Sequence, residues 1–301
     1  MGKLEELIDI YKLSDEQFKE YKETAKIALT SGKQPVKNKK LIIVGGQSGA
    51  GKSRIIPVAK QELKNNAVIV DFDELRSMNP YYNDVSENYP EITHKILHSD
   101  TNKAKEEILE DVIKDGYNVI YEGALRDTKG FIELAEKFKN GGYNIKMEIM
   151  ATPKLESYGS TFLRYATALL TDINPRWVEK FAHDSSYNGV IKTIEEFYNQ
   201  NLIDEMDVFV RDLEKPKKIY EEKNVKNSKL AIGAINYGRE NGRRNAVKQF
   251  NTKYNIVKQI LEKEDPERVV YLRDWYDLYE SEVEYFNSIN DISKGGKELD
   301  D

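Results

Sequence analysis

Leu41-Ile42-Ile43-Val44-Gly45-Gly46-Gln47-Ser48-Gly49-Ala50-Gly51-Lys52-Ser53 is the stretch that decides the fold. Its first four residues are a short continuous apolar run, the pattern of a parallel strand buried on both faces. Gly46 to Ser53 then satisfy G-x-x-x-x-G-K-[ST]. Glycines let the chain turn tightly enough for successive backbone N–H groups to converge on phosphate oxygens. In that arrangement Gly46, Gln47, Ser48, Gly49, Ala50 and Gly51 form a cradle, Lys52 reaches the β and γ phosphates, and the Ser53 hydroxyl coordinates Mg²⁺. A helix expected near Lys52 turns its positive end toward the same anion. Apolar strand, glycine turn and helix together predict binding of a nucleoside triphosphate, ATP or GTP, with Mg²⁺.

Outward from this stretch, apolar runs predict further strands at residues 67–70, 117–121, 144–150 and 208–210. Helices are expected over 14–30, 99–115, 128–139 and 154–171. Ser14 and Gln17 have capping-box spacing, and Leu13 with Phe18 could close a hydrophobic staple. Alternation of this kind specifies an α/β, P-loop NTPase-like three-layer fold with a mainly parallel sheet and right-handed crossovers. Beyond about residue 222 the pattern changes. Gly233, Gly238 and Gly242 with the polar run GRENGRRN weaken any helix there. Val247, Phe250, Tyr254, Val257 and Leu261 then fall at helical spacing, as do Leu272, Trp275, Tyr279, Val283 and Phe286. Residues 1–222 are therefore read as the catalytic domain, 223–290 as a helical appendage packed on it, and 291–301 as a disordered tail.

Net charge is −6, so no basic field gathers nucleic acid, and a polynucleotide partner is not expected. No cysteine is present, which removes disulfides and thiolate metal sites. No apolar run approaches the ~18 residues of a membrane span, and the charged, amphipathic N-terminus does not read as a secretory signal. A cytoplasmic protein is the expectation.

Other candidate residues lie where strands end, the edge at which open α/β sheets bind ligands. Asp71 and Asp73 close the second strand in VIVDFDELR. Asp73 is the candidate base for an acceptor hydroxyl, and helix capping is the alternative use of either aspartate. Glu122 and Arg126 follow the third strand in YEGALR and could bond an acceptor or organise Mg²⁺; a strand-end ion pair is the bland reading. Arg164, on the helix after the fourth strand, and Arg176, after Asn174-Pro175, could meet the charge that spreads over a transferring phosphoryl group. Solvated helix-face arginines are the alternative. His94, His98 and His183 have no metal-ligand spacing.

With these residues in place, the chain resembles the zeta-toxin family, the kinase component of bacterial toxin–antitoxin systems. The resemblance runs from about Leu13 to Tyr220 and rests on LSDEQF, GGQSGAGKS, VDFDELRSMNPYY, GYNVIYEGALRD, GYNIKMEIMATPKLESYGSTFLRY and NPRWVEKFAHD in order. It implies ATP-dependent phosphorylation of the amino-sugar 3′-hydroxyl of UDP-N-acetylglucosamine, a product that blocks cell-wall synthesis, and a small helical antitoxin partner. It implies phosphate and Mg²⁺ roles for Lys52 and Ser53, the base role for Asp73, and substrate contacts from Glu122, Arg126 and Glu106. Arg164 and, across a shortened loop, Arg176 match its lid arginines. Ala124 departs from the family pattern, which usually has threonine there, and one hydroxyl donor is lost. A P-loop kinase acting on another small hydroxyl compound (a nucleotide or an antibiotic) is the second reading. A nucleotide-gated binding protein is the third, although a switch needs no acceptor base.

Overall fold

In the computed structural model, which describes residues 2–171, 175–212 and 214–295, Leu41 to Val44 form a strand with no solvent exposure on either face. Two short helices lead in, α1 (Lys3–Ile10) and α2 (Asp15–Thr30). The α2 start is the expected capping box: Ser14 Oγ accepts from the Gln17 N–H at 3.3 Å, and Gln17 Oε1 accepts from the Ser14 N–H at 3.0 Å. Strand β1 (Lys40–Gly45) follows, then one 3-10 turn, Lys52–Arg54, and helix α3 (Ile56–Glu62). The α-helix expected near Lys52 thus begins four residues later, after a tighter first turn.

Strand β2 (Val68–Val70) leads to three short helices, α4 (Phe72–Ser77), α5 (Tyr82–Asn88) and α6 (Thr93–Ile96). Then come α7 (His98–Asp115), β3 (Val119–Gly123), α8 (Thr128–Asn140), β4 (Asn144–Met150) and α9 (Lys154–Leu170). Helix α10 (Lys180–Asn199), β5 (Glu205–Val210) and β6 (Lys217–Lys223) complete the sheet. Its strand order is β2-β3-β1-β4-β5-β6, parallel throughout except for β6, which runs antiparallel to β5. KKIYEEK has little apolar signal of its own. The open edge of β5 makes it a strand.

The sheet separates two apolar layers. Leu41, Ile43, Ile145 and Met147 share one cluster with residues of α2, α7, α8 and α10, whereas Ile42, Val44 and Ile120 pack with Ile55 and Ala59 at α3. On β4 and β5, Lys146, Glu148 and Asp207 are buried as well. The Lys146 ammonium lies 2.5 Å from Glu62, 3.2 Å from Glu148 and 2.8 Å from Asp207, and Lys40 on Glu62 at 3.0 Å and Lys218 on Asp207 at 2.7 Å add to the balance.

Two helices follow the sheet, α11 (Ser228–Glu264) and, after a 3-10 turn, α12 (Leu272–Gly295). Helix α11 runs unbroken through Gly233, Gly238 and Gly242, where the sequence argued for a weakened helix. At Gly238 and Gly242 the reason is close approach, while Gly233 faces open space. A Cβ at Gly238 would lie 2.7 Å from Val210 and 2.9 Å from Ala151, and one at Gly242 would lie 2.6 Å from Pro153. Helix packing outweighs the propensity cost of roughly 1 kcal/mol per glycine. Farther on, Phe250, Val257 and Leu261 of α11 and Leu272 and Trp275 of α12 enclose Leu155, Phe162 and Tyr165 of α9 in one cluster. Helix α12 passes residue 290, where the tail was expected to begin; 296–301 lie outside the described residues. No described helix is long and apolar enough to cross a membrane.

Each large side chain in that cluster contributes roughly 1.5–3 kcal/mol by burial. Truncation after Glu222 should therefore lower the melting temperature by at least about 10 °C, or leave the protein insoluble. An unchanged melting temperature would refute packing of the appendage as a source of stability.

Candidate active site

Three glycines of the turn after β1 have positive φ: 146° at Gly46, 72° at Gly49 and 92° at Gly51. At Gly49 a Cβ would come within 2.0 Å of the Ser157 carbonyl oxygen, so α9 presses directly on the loop. The cradle's backbone donors divide into two sets. Ala50 N–H is used within the loop, on Gln47 O at 3.0 Å, and Ser48 N–H reaches Ser186 Oγ at 3.3 Å. Those of Gly49, Gly51, Lys52 and Ser53 are among the loop donors with no hydrogen-bond partner among the described residues. Gln47 is fully buried, with Nε2 donating to Thr152 O at 2.7 Å and Ser157 Oγ at 3.1 Å. Its side chain braces the loop from beneath, so only its backbone can face a ligand.

Lys52 Nζ donates to Gly46 O at 3.1 Å and Gln47 O at 3.3 Å and lies 3.8 Å from Glu122. Burial pushes its ammonium down to about 8; Glu122 opposes that shift, and the nearby Arg164 and Arg176 add to it. Burial also raises the Glu122 carboxyl above its ordinary range, with Lys52 opposing and Asp71 and Asp73 adding to the rise. Arg164 of α9 has no hydrogen bond or ion pair among the described residues; burial and the nearby Arg176 lower its pKa, with Asp73 and Glu122 opposing. With Arg76, which pairs with Asp73, four cations (Lys52, Arg76, Arg164 and Arg176) face three carboxylates (Asp71, Asp73 and Glu122).

The two aspartates after β2 have different partners. Asp71 caps α4, its Oδ1 accepting from the Asp73 N–H at 2.8 Å. That bond fixes Asp73 at the sheet edge. Asp73 is paired with Arg76 at 2.5 Å and with Arg176 at 2.8 Å. Burial raises its pKa, and the Arg176 and Arg76 guanidinium groups outweigh that, holding the carboxyl below its usual range. Asp73 is therefore ionised at neutral pH. Residues 172–174, in the loop ahead of Arg176, lie outside the described residues.

Lys52, Asp73, Glu122, Arg164 and Arg176 come together, and Ser53 stands exposed beside Lys52. Arg126 is exposed on the loop after β3 without a hydrogen bond among the described residues. Glu106 is placed differently. Its carboxylate is held by Lys137 of α8 at 2.9 Å and Lys105 at 3.3 Å, not by any member of this group.

Several supports were not legible in the sequence. Leu125 is fully buried with φ 52°, a left-handed conformation uncommon outside glycine, and its carbonyl accepts from Thr193 Oγ1 at 3.2 Å. This turn fixes the loop that carries Ala124 and Arg126. His183 is fully buried; its Nε2 lies 2.9 Å from Ser157 Oγ, and burial drives its pKa down to about 4. It is a neutral strut beneath the cradle. Arg211 binds the Ala50 carbonyl at 2.9 Å, the Gly49 carbonyl, and Glu156 at 3.0 Å. Its position just after β5, on the ligand edge, was the one available sequence signal.

Comparison with known proteins places the chain in a family. The Zeta toxin family model matches residues 24–224. The toxin PezT of Streptococcus pneumoniae is 29% identical over 206 residues, covering 68% of this chain and 81% of that protein. The toxin zeta of Streptococcus pyogenes is 27% identical over 207 residues, covering 68% and 72%. Among solved structures, one from the PezAT chromosomal toxin–antitoxin system of Streptococcus pneumoniae superposes with a TM-score of 0.72 at 25% identity, covering 84% of this chain and 99% of the other. A structure of AvrRxo1-ORF1:-ORF2 with ATP shares the fold at a TM-score of 0.51 and 14% identity, covering 73% and 71%.

Proposed function

The chain belongs to the zeta toxin family, and from that premise we propose that it is an ATP-dependent kinase that acts as a toxin. The observation that carries the reading is the convergence of an ionised base, Asp73, with an excess of cations, Lys52, Arg164 and Arg176, at the edge of a glycine cradle. A binding protein that used nucleotide only as a switch would need the cradle and not the base. The acceptor we favour is the amino-sugar 3′-hydroxyl of UDP-N-acetylglucosamine, met in the cytoplasm. The names of the matched relatives support a small antitoxin as the protein partner.

Residue by residue, the free N–H groups of Gly49, Gly51, Lys52 and Ser53 would bind the phosphate chain. The positive φ at Gly49 and Gly51 fits such a ligand, and the missing Cβ atoms let Ser157 of α9 and Arg211 press on the loop. Ser53 would hold Mg²⁺, which supplies charge neutralisation on the phosphates. Asp73 would take the proton from the acceptor hydroxyl as its oxygen bonds to phosphorus and the bond to the β,γ-bridging oxygen breaks. Arg176, now on Asp73, and Arg164 would turn to the equatorial oxygens of the transferring group. Glu122 and Arg126 would orient the acceptor. Glu106 would join them only after leaving Lys137.

Incubation with ATP, Mg²⁺ and UDP-N-acetylglucosamine should yield a sugar nucleotide heavier by one phosphoryl group in mass spectrometry. Induction in bacteria should arrest growth, and the Lys52→Ala variant should be harmless at matched expression. Equal tolerance of both would favour a metabolic or resistance kinase. Ala124, which brings no hydroxyl beside Glu122, supports that second reading, a kinase of another small hydroxyl compound. A panel of hydroxyl acceptors in the same assay separates the two.

A further inference from the structure

Arg239 lies on α11, beyond the residues that the family model matches, and is 7% exposed. Its guanidinium stacks 3.7 Å above the Tyr187 ring. One nitrogen, Nη2, donates to Tyr187 O at 2.9 Å and to Gln47 Oε1 at 3.5 Å, and Nε has no partner. No carboxylate pairs with it among the described residues. The acids nearest in sequence and packing, Glu240 and Glu282, are taken by Arg243 at 2.8 and 2.6 Å. A buried cation without an anion is costly, and proteins rarely keep one unless a ligand supplies the charge.

Both of its hydrogen bonds end on the frame of the phosphate cradle. Gln47 is a member of the loop, and its carbonyl accepts from Lys52 at 3.3 Å. Tyr187 follows Ser186, whose hydroxyl accepts from the Ser48 N–H at 3.3 Å. We propose that Arg239 is a positioning residue for the nucleotide: it clamps Gln47 and the Ser186–Tyr187 turn, and the bound triphosphate offsets its buried charge. Helix α11 is then part of the nucleotide site and not only a cover for α9. This rests on the reading that the cradle binds a nucleoside triphosphate.

The test compares the full-length protein with Arg239→Met, Arg239→Gln and Arg239→Lys. Affinities for ATP and for inorganic tripolyphosphate are measured by calorimetry, and melting temperatures with and without ATP. Methionine and glutamine should weaken both ligands by about tenfold, since the cation behind the cradle that the phosphate charge offsets is lost whatever the base. Lysine keeps the charge and should recover most of that loss. The nucleotide-free melting temperature should hold or rise in Arg239→Met, because an unpaired buried charge is gone, while the rise produced by ATP shrinks. Should the methionine variant fail to fold, the glutamine variant carries the same comparison. A purely structural arginine would show the reverse, a lower melting temperature with both affinities within twofold of wild type, and that result overturns the proposal. Wild-type protein that binds neither ligand would sink the nucleotide reading itself, and this inference with it.

Discussion

Replacing Lys52 with alanine should abolish phosphoryl transfer and weaken ATP binding. The ammonium sits on the cradle's own carbonyls, Gly46 O at 3.1 Å and Gln47 O at 3.3 Å. A triphosphate placed there would lose its one charge-assisted donor from within the loop. Loss of Lys52 also strips Glu122 of the cation 3.8 Å away, so that its already raised carboxyl would protonate more readily. Purified Lys52→Ala retaining more than about a tenth of wild-type turnover would contradict the assignment, since loss of such a charge contact in the transition state ordinarily removes more. A pH titration gives an independent check. In the free protein the ammonium loses its proton near pH 8, and phosphate favours the charged form. ATP affinity should be flat below about pH 8 and decline above it, because binding must then take up a proton. Alanine at this position should remove that decline.

Asp73→Asn should leave folding and ATP affinity nearly intact while cutting turnover by roughly 10² or more, the usual scale for losing a general base. Asparagine keeps the shape and the cap geometry, because the cap is made by Asp71 and only the backbone N–H of residue 73 takes part. It cannot accept the proton. The comparison with Asp71→Asn is informative, since that change weakens a helix cap by about 0.5–2 kcal/mol and leaves the base in place. Stability should fall in one variant and turnover in the other. Unchanged turnover in Asp73→Asn, with normal substrate binding, would move the base to Asp71 or Glu122.

The division between these two aspartates illustrates what could be read in advance. Residues two apart at a strand end looked alike in sequence. Their difference arises because α4 starts at Phe72, which makes Asp71 the cap and turns Asp73 toward Arg76 and Arg176. Glu106 is the opposite case. Its match to the family pattern is a matter of sequence, whereas its ion pair with Lys137 depends on how α7 meets α8. Likewise, glycine content over 224–245 argued for a weakened helix, and tertiary contact at Gly238 and Gly242 overrode it.

By itself the sequence determined the local features: the Leu41–Val44 strand, the turns of the glycine cradle, the Ser14 capping box, and the apolar stripes of α11 and α12. Each is set by interactions a few residues apart or by a period matched to one element, so neighbouring residues carry the whole signal. Tertiary structure alone decided that β6 pairs with β5, that α11 lies against Pro153 and Val210, and that Leu125 adopts a left-handed turn. It also placed Arg239 and His183 behind the phosphate loop. The β5–β6 partners lie 7 to 18 residues apart, whereas His183 with Ser157 and Arg239 with Gln47 are 26 and 192 residues apart. No local pattern encodes such pairs, because packing of the whole chain selects them.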